Sequence, residues 1–70
     1  MEYRNIRIKL AACRVNADMN QSEFAEAIGV DRSTIANWEA AKSEPNVTQL
    51  RRISELSGIP MDFIFVPIKS

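Results

Sequence analysis

Histidine is absent from this 70-residue chain, and cysteine occurs once, as Cys13. Without histidine there is no imidazole to shuttle protons or ligate a metal. A single thiol makes neither an internal disulfide nor a cysteine-rich zinc site, so no metal or other cofactor is expected. Nine basic and nine acidic side chains cancel to a formal net charge of zero. The basic excess that announces a nucleic-acid or membrane-surface partner by composition is therefore missing. Long hydrophobic runs are missing too. The longest apolar stretch, 59–68, is broken by Pro60, Asp62 and Pro67, well short of the roughly 20 residues a membrane helix needs. Residues 1–6 carry no signal-peptide core. With two glycines in the whole chain, no glycine-rich loop exists to cradle a nucleotide. The clustered carboxylates Asp18, Glu23, Glu26 and Asp31 fall at spacings that suit helix caps and solvated faces, not an acid–base pair. No catalytic residue is assigned, and an enzyme is not expected.

What is present is the balance of one small folded domain spanning 1–70, with 46% apolar and 26% charged residues. A chain this short buries only about 60% of its unfolded surface, so its stability is marginal and a second subunit helps. A reducing, cytoplasmic setting suits its cysteine usage.

Apolar periodicity divides the chain into helices. Ile6, Leu10, Cys13 and Ala17 form one stripe and predict a first helix from about Ile6 to Asn16, with Cys13 a buried apolar side chain. Asn20 and Glu23 have capping-box spacing and open a second helix that buries Phe24, Ala25 and Ile28 and stops at Gly29. Asp31 suits the N-cap of a third helix that turns Ile35 and Trp38 inward and runs to about Ala40 or Ala41. Pro45 ends the connector 42–45, and Asn46 caps a fourth helix with Val47, Leu50, Ile53 and Leu56 on its apolar face. Gly58 stops it. Pro60 opens a short fifth turn, Met61 to Phe65, and the apolar tail beyond, with Pro67, suits an edge strand or an arm. The fold class expected is all-α, a compact five-helix domain with a core of about 6–65 and a short apolar C-terminal tail.

The second and third helices, joined by about three residues with glycine at the corner, have the helix-turn-helix outline. Counting from Gln21, a small residue falls at +4 (Ala25), glycine at +8 (Gly29) and a branched apolar residue at +14 (Ile35). Ala25 lets the next helix cross closely, Gly29 permits a left-handed turn, and Ile35 fixes the angle between the two helices.

From about Ile6 to Phe65, and most closely over 19–39, the chain resembles the lambda-repressor-like, Cro-type (XRE) helix-turn-helix family. Pro45 and the close from Leu50 to Gly58 and Ile59 also match. The resemblance implies a DNA-binding transcriptional regulator, of the phage or mobile-element repressor type, that binds a two-fold operator as a homodimer. The helix after Asp31 would then lie in the major groove of double-stranded DNA with Arg32, Ser33, Ala36 and Asn37 outward. Arg32 suits guanine O6 and N7, Asn37 suits adenine N6 and N7, and Ser33 is a further base contact. Gln21, Thr34, Lys42 and Asn46 are the expected backbone contacts. Arg14 and Glu39 occupy the positions of an ion pair that ties the first helix to the recognition helix. Two departures stand out. Ala41 replaces a usual glycine, which predicts a third helix that runs on or ends without a left-handed turn; Ser57 replaces a common leucine and predicts altered packing of the fourth helix.

Zero net charge fits DNA binding least well, since phosphate neutralisation supplies most non-specific affinity. Either the acidic residues Glu2, Asp18, Glu23, Glu26, Glu55 and Asp62 face away from DNA, or the fold serves protein recognition, as in an antitoxin or adaptor whose partner is a protein such as a toxin. For self-association, the run Met61, Phe63, Ile64, Phe65, Val66 and Ile68 is the candidate surface.

Overall fold

The computed structural model of the chain describes residues 7–66. Within them lie β1 (Ile8–Lys9), α1 (Leu10–Asn16), α2 (Gln21–Ile28), α3 (Arg32–Glu39), α4 (Val47–Ser57), a 3-10 turn (Met61–Phe63) and β2 (Ile64–Phe65). Four α-helices are therefore present among the described residues, not five, and the expected fifth is a single 3-10 turn that runs into a strand. The all-α expectation also yields at one place. β1 and β2 pair in parallel, Ile8 beside Ile64 and Lys9 beside Phe65, as a two-stranded ribbon. That pairing draws Ile8 and Lys9 into extended backbone, so the first helix starts at Leu10 and not at Ile6. Ile6, at the head of the expected stripe, lies outside the described residues, as do Glu2, Pro67 and Ile68.

Helix starts follow local chemistry. The Asn20 side chain accepts from the Glu23 amide at 2.8 Å, while the Glu23 carboxylate accepts from the Asn20 amide at 2.9 Å. Asn46 and Gln49 repeat this reciprocal box at the head of α4, with both bonds at 2.8 Å. Each box satisfies two of the amides that a helix leaves unpaired at its start. Asp31 sits at the N-cap of α3 in extended backbone, but its side chain makes no cap bond.

Every α-helix ends on a left-handed residue: Asp18, Gly29, Ala41 and Gly58. Ala41 corrects the expectation above, because it adopts φ 61° despite its Cβ. Its amide donates to the Trp38 carbonyl at 3.1 Å and the Lys42 amide to the Asn37 carbonyl at 2.8 Å. These are the two bonds of a Schellman close, and they outweigh the about 1–2 kcal/mol that an L-residue loses in this conformation. Asp18 ends α1 in the same way, through bonds from Asp18 to Val15 and from Met19 to Arg14.

The core gathers Leu10, Cys13, Phe24, Ala25, Ile35, Trp38, Ile53 and Ile64. Phe24, Ile35, Ile53 and Cys13 are wholly enclosed, and Ile28, Val30, Leu50 and Leu56 pack around them. Val47, expected on the buried face of α4, is 63% exposed, because it occupies the first helical position beside the cap. Ser57, the unusual residue near the end of α4, is buried with its polar atoms engaged. Its hydroxyl donates to the Ile53 carbonyl at 2.8 Å and accepts from the Ile59 amide, and its carbonyl accepts from Asn16 Nδ2 at 2.7 Å. The serine hydroxyl thus closes the end of α4 on itself where leucine would only pack, and the backbone carbonyl ties that end to the end of α1. Burial pushes the Cys13 thiol up, against a smaller downward pull from Ser57. Among the described residues, no helix is long and apolar enough to cross a membrane.

Candidate nucleic-acid interface

Helix α3 is polarised across its axis. Ile35 and Trp38 are buried, whereas Arg32, Ser33 and Asn37 are exposed. Ser33 and Asn37, four residues apart, share one face of the helix, with Arg32 at its opening. Thr34 and Ala36 are half-buried at the margin of that face, so Ala36 is less outward than expected. The exposed face thus offers one guanidinium, one hydroxyl and one carboxamide. Those are the groups that read guanine and adenine edges in a major groove.

The network that fixes this face lies at the other end of α3. Arg14 Nε donates to Glu39 Oε2 at 2.7 Å and Arg14 Nη2 to Glu39 Oε1 at 3.3 Å, a two-pronged pair. Arg14 Nη1 also donates to the Met19 carbonyl at 3.0 Å. The two charged side chains are only 18% and 13% exposed. Burial pushes the Glu39 carboxyl up, but hydrogen bonds from Arg14 and Gln21 and the charge of Arg14 together hold it below the usual carboxylate range. For Arg14, the bond to Glu39 outweighs burial and raises its pKa further.

The third partner was not legible in the sequence. Gln21 Nε2 donates to Glu39 Oε1 at 3.1 Å, so the first residue of α2 is tied to the last residue of α3. A primary amide has two N–H donors, and this bond uses one of them. The other, with the unpaired backbone amides at the start of α2, is the kind of donor that a phosphate oxygen accepts. Asn46 Oδ1 is occupied by its capping bond, which leaves its Nδ2 as the donor. Lys42 is exposed in the segment that follows Ala41. Arg52 makes a further tie that sequence reasoning missed: its Nε donates to the Ala27 carbonyl at 3.2 Å, joining α4 to the last turn of α2.

Two short helices crossing at a glycine corner, the second with a polar exposed face, define a helix-turn-helix domain. A family model described as helix-turn-helix matches residues 10–64, and the chain belongs to that family of XRE-type, DNA-binding transcriptional regulators. The chain is 29% identical over 56 residues to the SPbeta prophage-derived uncharacterized HTH-type transcriptional regulator YonR of Bacillus subtilis, covering 80% of this chain and 52% of that one. It is 33% identical over 54 residues to the HTH-type transcriptional activator BcrR of Enterococcus faecalis, covering 77% and 26%. With the cryptic phage CTXphi transcriptional repressor RstR of Vibrio cholerae it shares 30% identity over 53 residues, covering 76% and 48%. The chain spans about half the length of these relatives, or less. No solved structure matches it at a significant level.

Proposed function

We propose that the chain is a sequence-specific repressor that binds a two-fold DNA operator as a homodimer in a cytoplasmic setting. The observation that carries this reading is the exposed face of α3, with Arg32, Ser33 and Asn37 set opposite the buried Ile35 and Trp38. Arg32, Ser33 and Asn37 read bases, while Gln21, Thr34, Lys42 and Asn46 hold the phosphate backbone. The Arg14–Glu39–Gln21 network ties the start of α2 to the end of α3 and so holds the two helices in register for both tasks. Two phage-associated relatives, one of them named a repressor, support the regulatory sense.

Zero net charge has a consequence for this reading. Bulk electrostatics supplies little affinity, so non-specific binding is weak and base contacts carry a larger share of the total. One recognition helix covers few base pairs, and pairing two copies on half-sites roughly 34–36 Å apart supplies the rest. The second copy meets the 3-10 turn and β2, where Met61, Phe63 and Val66 are only half-buried beside the core residue Ile64.

Selection of bound sequences from a random DNA pool, at a fixed salt concentration, tests all of this together. An enriched inverted repeat with half-sites one helical turn apart is expected. Enrichment of single half-sites overturns the dimer, and no enrichment overturns DNA reading and returns the fold to protein recognition.

A further inference from the structure

We infer that Asp31 is a specificity-determining residue that accepts a hydrogen bond from the amino group of a cytosine; this rests on the proposed placement of α3 in a major groove. Three helices of the chain open on a side chain able to cap: Asn20, Asp31 and Asn46. All three N-caps share the same extended backbone, with ψ between 152° and 178°. Two of the three close a reciprocal box, and Asp31 does not.

The physical reason lies in the third helical residue. In α2 and α4 that residue is Glu23 or Gln49, long enough to reach back to the cap amide, whereas in α3 it is Thr34. The Thr34 amide, which an Asp31 carboxylate would accept from, instead donates to the Asp31 backbone carbonyl at 2.9 Å. The carboxylate is left exposed, immediately before Arg32 and Ser33.

A carboxylate at this position is costly beside phosphates unless a donor meets it. Carboxylates in the major groove accept from the N4 amino group of cytosine, so that base is the matching partner. Arg32, next in the chain, takes a guanine. The two side chains together favour a half-site with a cytosine close to that guanine, and the negative charge weakens binding to every sequence that lacks the cytosine.

The test uses the full chain and the random-pool selection, with Asp31→Asn and Asp31→Ala run beside wild type and circular dichroism confirming helical content. Asparagine retains the ability to cap but carries no charge. Wild type is expected to enrich a cytosine at one half-site position, Asp31→Ala to lose that preference by about five-fold or more, and Asp31→Asn, whose amide adds a donor, to shift it toward adenine, both variants gaining affinity for non-specific DNA. Unchanged base preferences, with or without a uniform gain in affinity, overturn the assignment and leave Asp31 a solvated or merely repelling charge. If wild type enriches nothing, it is the DNA-reading proposal that fails, and the two failures are distinct.

Discussion

Ala41→Gly is expected to stabilise the domain. Ala41 sits at φ 61° with both bonds of the helix close formed around it. An L-residue in that region loses about 1–2 kcal/mol to contact between its Cβ and the backbone. Glycine removes the contact but adds about 0.4–1 kcal/mol of freedom to the unfolded chain. The net gain is about 0.5–1 kcal/mol, which for a domain this small is a rise in Tm of roughly 2–8 °C. Two control substitutions run the other way. A Cβ added at Gly29 (φ 91°) or Gly58 (φ 74°) meets nothing within 4 Å, so Gly29→Ala and Gly58→Ala each cost about 0.5–1 kcal/mol by the same two backbone terms with the sign reversed. Urea titrations at matched slope give all three values. The opposite signs are the signature. A loss of stability in Ala41→Gly, or no change while the two glycine variants lose stability, would refute a left-handed close at Ala41.

Other expected outcomes follow from the core and the network. Trp38→Ala removes a side chain that is 4% exposed and costs about 3–5 kcal/mol, enough to unfold a domain of marginal stability; native-like circular dichroism in that variant would contradict the packing. Glu39→Ala leaves Arg14 without its partner, and the partial burial of the pair places the cost at about 2 kcal/mol, between exposed and buried cases. A double-mutant cycle with Arg14→Ala measures the coupling, and a value near zero would rule the pair out as a tie. Because the folded-state pKa of Glu39 is held down, its contribution is present above the ordinary value of about 4.3 and is lost as the pH falls through the lower folded value. Denaturation at stepped acid pH should show wild type losing this increment while Glu39→Gln does not. Gln21→Ala should weaken specific and non-specific DNA binding alike; an effect confined to one base position would exclude a phosphate role.

The parts of the fold that were legible in the sequence are those written in local chemistry. Asn20 with Glu23, Asn46 before an apolar run, and glycines at 29 and 58 each mark a helix end within a few residues. What escaped depends on partners elsewhere in the chain or on backbone bonds with no side-chain signature. Ile8 and Lys9 fall inside the first helix that the stripe of Ile6, Leu10, Cys13 and Ala17 predicts, until Ile64 and Phe65 arrive beside them as a strand. The left-handed ends at Asp18 and Ala41 are held by backbone amides and carbonyls, so residue type alone misleads there. In the candidate interface, the polarity of α3 was legible from Ile35 and Trp38, because a helix that buries one face presents the other. The bond from Gln21 to Glu39 was not, since it forms only once the corner at Gly29 brings the start of α2 to the end of α3.

The exposed face of α3 is tested most directly by comparing wild type and Arg32→Ala on the selected operator and on every single-base variant of one half-site, at one salt concentration. A side chain that reads a guanine through two hydrogen bonds predicts a loss of about 1–3 kcal/mol confined to a single position, where the variant no longer distinguishes the four bases. Equal affinity and unchanged preference at every position would contradict the placement of α3 in the groove.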